Sequence, residues 1–322
     1  MKINKLEVLL PYLQCPTCHG EQIIITSDNL NLECVSCETQ YPVSFDRPVM
    51  LRSDNDVFCI DDYRNAKTPD LKNGIKAMWR SFAPKASVNL SSERIISTLG
   101  EMLLSIPNAT VLVVGGGNQR QWLDKRLGIS RSLNVIYTDI DVGADVDIFC
   151  DGHELPFADS RIDAVITTAV LEHVLYPERV AAEITRVLKV GGLLYTELPF
   201  MQQVHEGAYD FTRYTMSGHR RLFNSFSEIE SGMVAGPGTA LVWAIENFIL
   251  AFMARSQLRK LSKFIARLVF GWIKYFDFLL KNSPAAMDGA SCTYLLGRKT
   301  VGYVTDAEII SRYNGAQGLR HT

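Results

Sequence analysis

The sequence predicts an α/β fold, a mostly parallel sheet with helices on its faces, preceded by a small cysteine-rich module. Three observations carry this expectation. Apolar runs alternate with amphipathic segments from Val111 to Leu198. The first run ends in Gly115-Gly116-Gly117, and the second ends in Asp139, 22 positions after Gly117. Near the N-terminus stand two C-x-x-C pairs, Cys15/Cys18 and Cys34/Cys37, separated by fifteen residues.

With 322 residues, 47% hydrophobic and 21% charged, the chain has room for one large α/β domain and a small module. A formal charge of -2 and a pI near 6.3 exclude a global attraction to nucleic acid, though not a local basic patch. The opening from Met1 to Pro11 is broken by Glu7 and lacks the features of a secretion signal. Seven cysteines without such a signal point to metal binding and free thiols rather than disulfides, with the cytoplasm as the expected location.

Each C-x-x-C pair reads as a tight knuckle presenting two thiolates, and two knuckles complete a tetrahedron around a structural zinc, Zn(2+). The metal ligands expected are Cys15, Cys18, Cys34 and Cys37. A redox pair is disfavoured, because four cysteines at this spacing leave no open position. The alternating stretches Glu21–Ile25 and Asn29–Leu32 read as the hairpin between the knuckles, and His19 as a surface residue. Tyr12-Leu-Gln-Cys-Pro-Thr-Cys-His-Gly, followed by Cys37-Glu-Thr-Gln-Tyr-Pro-Val and Arg47-Pro-Val-Met-Leu, resembles the small zinc-containing activator subunit of tRNA methyltransferases. The resemblance spans about residues 5 to 52, with Arg47 as a minor departure. It implies a module that serves methyltransferases as a partner.

Residues 53–95 carry Asp54, Asp56, Asp61 and Asp62 with little periodicity, and read as a connector with one or two helices folded as a lid. A helix with serine capping is expected over 92–106, ended by Pro107-Asn108. Strands follow at Val111–Val114, Val135–Thr138, Val146–Phe149, Ala164–Thr168 and Leu193–Leu198. Helices are expected at 119–127 and Pro177–Leu188, the latter with Val180, Ile184, Val187 and Leu188 on one face. Glycines in the first turn let a ligand approach the backbone, and a carboxylate at Asp139 can accept hydrogen bonds from ribose hydroxyls. The third glycine of a G-x-G-x-x-G turn is replaced by Arg120.

From Asp151 to Ile166 the chain reads Asp-Gly-His-Glu-Leu-Pro-Phe-Ala-Asp-Ser-Arg-Ile-Asp-Ala-Val-Ile, and Ala169-Val-Leu-Glu-His-Val-Leu and Glu183-Ile-Thr-Arg-Val-Leu-Lys-Val-Gly-Gly follow in order. This series resembles class I S-adenosylmethionine-dependent methyltransferases of the type 11 kind over about residues 108 to 200. The resemblance implies a Rossmann-like, seven-stranded sheet and S-adenosyl-L-methionine as cofactor. It places Gly115 and Gly117 under the methionine end, Asp139 at the ribose, Asp151, Gly152 and His153 at the adenine, and Glu172 facing the cofactor. Two departures stand out. Val113 replaces an acidic residue common in the first strand, and Gln119 replaces the last glycine of G-x-G-x-G. The expected divisions are 1–52 for the ribbon, 53–95 for the connector and 96–322 for the methyltransferase domain, with a helical insertion at 239–284.

For the methyl acceptor, candidate catalytic residues are His205, His173 and Asp210. An unperturbed imidazole titrates near neutrality and can serve as a base; His173 can equally pack on the cofactor. The loop from Pro199 to Thr215 brings His205, Glu206, Tyr209, Asp210, Phe211, Arg213 and Tyr214 over the expected site, where Asp210 can also simply pair with Arg213. The tail closes the sheet with strands at Glu228–Val234 and Ser291–Leu296. In the insertion, Arg255, Arg259, Lys263 and Arg267 recur every fourth residue, with Leu258, Leu261, Ile265, Leu268, Trp272, Ile273 and Phe276 largely away from them. That is either an interfacial helix, giving membrane-surface contact through 239–281 on the inner face of the membrane, or an arm that packs on the body or forms a homodimer. The leading expectation is O-methylation of a small-molecule, glycan or lipid-linked acceptor. The alternatives are an RNA methyltransferase, for which zinc ribbon and basic stripe speak, and a non-catalytic methyltransferase-like partner protein, for which Val113 and Gln119 speak.

Overall fold

A computed structural model describes residues 3–28, 30–65, 85–117, 119–128, 133–253 and 256–318. The N-terminal module contains α1 (Ile3–Leu9), β1 (Ile23–Ile25), β2 (Asn31–Cys34), β3 (Gln40–Ser44) and β4 (Arg47–Met50), followed by α2 (Ile60–Asn65). The body begins with α3 (Ser92–Leu103) and continues β5 (Thr110–Val114), α4 (Arg120–Leu127), β6 (Asn134–Asp139), β7 (Ile148–Cys150), β8 (Ile162–Thr168), α5 (Pro177–Val187) and β9 (Leu188–Pro199). It ends with α6 (Met216–Leu222), β10 (Phe226–Ala235), α7 (Pro237–Ala251), α8 (Ser256–Phe270), α9 (Asp277–Leu280), β11 (Cys292–Lys299) and α10 (Asp306–Ser311). The part of the expected connector from 66 to 84 lies outside the described residues.

The strands form one sheet in the order β1-β2-β3-β4-β7-β6-β5-β8-β9-β11-β10. The expected seven strands are therefore corrected to eleven. Seven of them, β7 to β10 in that order, form the parallel sheet with its antiparallel closing pair. The other four come from the N-terminal module, because β4 pairs parallel with β7, Val49 opposite Phe149 and Met50 opposite Cys150. Side chains alternate along a strand, so Val111 and Val113 face one layer while Leu112 and Val114 face the other. The first layer packs on Ile95, Leu99 and Leu123 of α3 and α4. The second packs on Val180, Ile184 and Val187 of α5, and runs on into Leu13, Cys15, Leu32 and Tyr41 of the module. Module and body share a core.

Several local expectations shift. The third strand sits two residues later than expected, at Ile148–Cys150, because pairing with both β4 and β6 fixes it there. The fifth begins at Leu188 rather than Leu193, taking over the residue expected to end α5. The start of α3 is capped by Asn89, whose side-chain oxygen accepts from the backbone of Ser91 and Ser92. Ser91 instead donates to the carbonyl of Met233.

The insertion inverts the expected arrangement. Lys263 and Arg267 turn inward to the buried carboxylate of Glu246 on α7, and Arg259 donates to the carbonyls of Leu250 and Met253 at the end of that helix. Leu258, Leu261, Ile265, Leu268, Trp272 and Phe276 are left exposed. The cause is Glu246: a buried carboxylate needs partners, and these cations supply them. Arg255 lies outside the described residues. Among the described residues, no helix is long and apolar enough to cross a membrane.

Candidate active site

The chain runs β5 to β6 to β7 toward one edge and β8 to β9 toward the other, so the sheet order reverses between β5 and β8. In open α/β sheets the crevice at the carboxyl ends of such strands is where ligands bind. Here that crevice is a cleft of roughly 810 Å³, lined at one end by Gly115, Asp139 and Asp151 and at the other by His173, Glu206, Tyr209 and Phe211.

The glycine turn is built for close approach. Gly115 has φ +69°, and a Cβ there would stand 2.3 Å from Cγ2 of Val170, just past the end of β8. The Gly117 N–H donates to Oδ2 of Asp139 at 2.7 Å, while Ile140 and Asp141 donate to Oδ1. Burial pushes the Asp139 carboxyl above its ordinary range, against the pull of those three N–H groups. Asp139 is thus held rigidly at the tip of β6. Val113 packs in the apolar layer with Ile95, and Gln119 accepts from the Thr168 hydroxyl at 3.0 Å, tying the turn to the end of β8.

At the other strand tip, Asp151 accepts from the His153 backbone, from its ring Nδ1 at 2.6 Å and from the Asn55 side chain at 2.9 Å. His153 Nε2 in turn accepts from the Tyr176 N–H, so the ring proton sits on Nδ1. Burial pushes the Asp151 carboxyl up, yet the His153 and Asn55 bonds outweigh it and hold the group below the usual carboxylate range. Gly152 lines the cleft beside it. The start of the connector, expected as a lid, forms a wall of the cleft through Arg52 and Asp54 to Phe58, and Asn55 is a cleft residue that the sequence does not single out. The signal for that wall is the Asp54-Asn55-Asp56 run in a stretch poor in apolar residues.

At the acceptor end, Glu172 follows β8 and its side chain is 1% exposed. Neither of its oxygens has a hydrogen-bond partner among the described residues. Burial pushes its carboxyl up to about 7. Nε2 of His173 lies 3.6 Å and Nε2 of His205 4.0 Å from its Oε1. Desolvation lowers the His173 imidazole below its ordinary value. Asp210 is bound by both terminal nitrogens of Arg213 and by the His205 N–H, so its carboxylate fixes the loop rather than facing the cleft. The loop is stitched to the end of β8, because Phe211 and Thr212 donate to the Glu172 carbonyl. Trp243 of α7, absent from the expected site, meets the His205 ring edge-on at 6.0 Å.

The four cysteines converge as their spacing implies. Cys15 and Cys37 sulfurs are 3.7 Å apart and those of Cys18 and Cys34 3.5 Å, and all four lie within 4.8 Å of one another. These distances exceed any disulfide bond and suit thiolates around one ion, which at 2.3 Å from each sulfur sets them roughly 3.8 Å apart.

Residues 113–196 match the protein family described as "Methyltransferase domain". No curated protein matches the chain in sequence. Among solved structures, one likeness is to a protein of Galdieria sulphuraria, provisionally described as a sarcosine dimethylglycine methyltransferase. It has 11% identity and a TM-score of 0.44 over 70% of this chain and 97% of that one. Another is to the complex between the Haloferax volcanii Trm112 methyltransferase activator and a protein provisionally described as a methyltransferase, at 15% identity and TM-score 0.40, covering 74% of this chain and 100% of that one. A third is to Haemonchus contortus phosphoethanolamine N-methyltransferase 2 bound to S-adenosylhomocysteine, at 16% identity and TM-score 0.42, covering 66% of this chain and 54% of that one. Residues 113–196 thus mark a methyltransferase domain within the chain.

Proposed function

We propose that the protein transfers a methyl group from S-adenosylmethionine to an oxygen of a small-molecule acceptor seated above Glu172. The observation that carries this reading is the continuity of one cleft from Asp139 and Asp151 to His173, Glu206, Tyr209 and Phe211. Bound there, S-adenosylmethionine supplies a methyl group on a sulfonium sulfur, open to in-line displacement. The residues fit it. Gly115 and Gly117 leave room at the backbone, Asp139 offers its carboxylate to ribose hydroxyls, and Asp151 with Asn55 offers polar edges to an adenine.

The rest of the work falls to alignment and to the acceptor's proton. Tyr209 and Phe211 wall the acceptor end, and His173 is the basic group a hydroxyl there would meet, with His205 and the buried Glu172 carboxylate behind it. The four-cysteine group is assigned to a structural zinc that holds the N-terminal module, and the division into ribbon, connector and methyltransferase domain is kept as part of this reading.

Calorimetry tests it. Wild-type protein is expected to bind S-adenosylhomocysteine, and Asp139→Ala to bind at least tenfold more weakly, since a charged hydrogen-bond acceptor is worth about 1.5–3 kcal/mol. No heat from wild-type protein with either S-adenosylmethionine or S-adenosylhomocysteine would overturn it in favour of a non-catalytic partner. Salt-dependent retention of RNA would move the acceptor to a nucleic acid.

A further inference from the structure

Glu172, His173 and His205 form a group that a simple base does not explain. His173 Nδ1 lies 2.6 Å from the Tyr209 carbonyl and His205 Nδ1 3.2 Å from the Gln203 carbonyl. A carbonyl only accepts, so in each neutral ring the proton sits on Nδ1 and Nε2 presents a lone pair. Both lone pairs face the Glu172 carboxylate, whose two oxygens are buried and unpartnered. With the Glu172 carboxyl ionised, three electron-pair donors converge, and none of them is hydrogen-bonded to another. The nearby cation, Arg213, is already taken by Asp210.

The spacing is informative. At 3.6 and 4.0 Å the Nε2 atoms are too far from Oε1 for N–H···O hydrogen bonds. Two ligands of one ion at 2.0–2.2 Å in a tetrahedron are separated by roughly 3.3–3.6 Å. All three ligand atoms lie within 4.8 Å of one another. Histidines that bind metals through one nitrogen commonly donate the other N–H to a carbonyl or carboxylate, which fixes tautomer and ring. Both rings here do so.

We propose that Glu172, His173 and His205 form a second metal site, separate from the four cysteines, for a divalent first-row cation such as zinc. Two imidazoles and one carboxylate suit that class, and three protein ligands leave a position open. Of the three, His173 lines the cleft, and the open position is assigned to that side, at the acceptor end. An acceptor's hydroxyl or carboxylate oxygen is the ligand chemistry it takes. The site itself is read from the side chains, and only its role in anchoring the acceptor rests on the methyltransferase reading.

The full chain is loaded with cobalt(II) and separately with zinc(II), and bound metal is counted after gel filtration. Two equivalents are expected for wild type and one for Glu172→Gln. The cobalt spectrum of the variant should keep the thiolate charge-transfer band of the four-cysteine site, which also shows that the fold is intact, and lose the remaining visible absorption. His205→Gln supplies the same comparison if Glu172→Gln loses that band. One equivalent on the wild-type chain, or two on a variant that keeps the thiolate band, would overturn the proposal. S-adenosylhomocysteine binding, measured on the same wild-type preparation, separates the two readings. Absent heat defeats the methyltransferase reading and leaves the metal count standing.

Discussion

Gly115→Ala probes the turn on which the cofactor reading depends. The backbone at φ +69° costs a residue with a side chain about 1–2 kcal/mol. The new Cβ would also stand 2.3 Å from Cγ2 and 3.0 Å from Cγ1 of Val170. Ordinary contact begins near 3.4 Å, so Val170 or the turn must retreat by about 1 Å, an overpacking cost of roughly 1–3 kcal/mol. The total of about 2–5 kcal/mol is relieved where the turn can move, which is outward into the cleft. S-adenosylhomocysteine affinity, measured by calorimetry, is therefore expected to fall at least tenfold, with a lower urea midpoint. Val170→Ala removes both methyl groups and leaves only its Cβ, at 3.2 Å, so in the double variant most of the packing share returns and the backbone cost dominates. A double-mutant cycle reads that coupling directly. Gly115→Ala binding within twofold of wild type, or no coupling with Val170→Ala, would refute the geometry of the turn.

Other expectations concern the supports of the site. Asp277 is fully buried and accepts from the N–H groups of Gly236, Gly238 and Thr239 at the start of α7, so Asp277→Ala should cost about 3 kcal/mol or more by urea unfolding. His219 is fully buried, and desolvation lowers its imidazole to about 3, so the folded protein holds it neutral. The unfolded chain takes up the extra proton first, and stability is lost as pH falls below about 6.5 and on toward the folded value. Between pH 6.5 and 5.0 wild type should lose about 1.5 kcal/mol more than His219→Leu in urea titrations; equal losses would contradict the burial. Arg186 donates to Gln14, Asp159, Glu183 and the carbonyls of Leu155 and Phe157, so Arg186→Ala should cost about 2–4 kcal/mol, read as a lower thermal midpoint. Stripping metal from the four cysteines with a chelator should lower the main thermal transition rather than split off a separate one, as calorimetry would show.

The legible parts of the sequence were those where one local signal suffices. β5 and β6 are apolar runs ending at glycines and at Asp139, β8 is a third ending at Thr167-Thr168, and the ends of such strands are where cleft residues must lie. What the sequence could not show depends on partners far along the chain. Nothing in Arg47–Met50 says which edge it will join, and the three residues of β7 offered that edge. The recurrence of Arg259, Lys263 and Arg267 was readable as a face of α8, but its inward direction is set by Glu246 on another helix. His173 and His205, 32 positions apart, read in the sequence as two separate bases. Only the loop folding back on the Glu172 carbonyl puts their nitrogens against one carboxylate. Asn55 and Trp243 carry no local signal of their place at the site, for the same reason.

The annexed strands change what the N-terminal module does for the site. β4 ends at Met50, and five residues later Asn55 donates to Asp151. The Tyr63 ring of the next helix packs on Phe149 of β7 and its hydroxyl donates to the Ile140 carbonyl beside Asp139. Gln14 reaches Arg186, and Leu13 bridges to Phe157 in the segment that follows Asp151. The module and the connector that follows it therefore grip both strand tips, at Asp139 and at Asp151. A tethered partner with its own core could be removed without disturbing the cleft. A module whose Leu13, Leu32 and Tyr41 share the core of Leu112 and Val114 cannot, because its removal uncovers the layer under β5. The cysteines, although distant from the acceptor end, thus hold up the wall against which the cofactor is expected to lie.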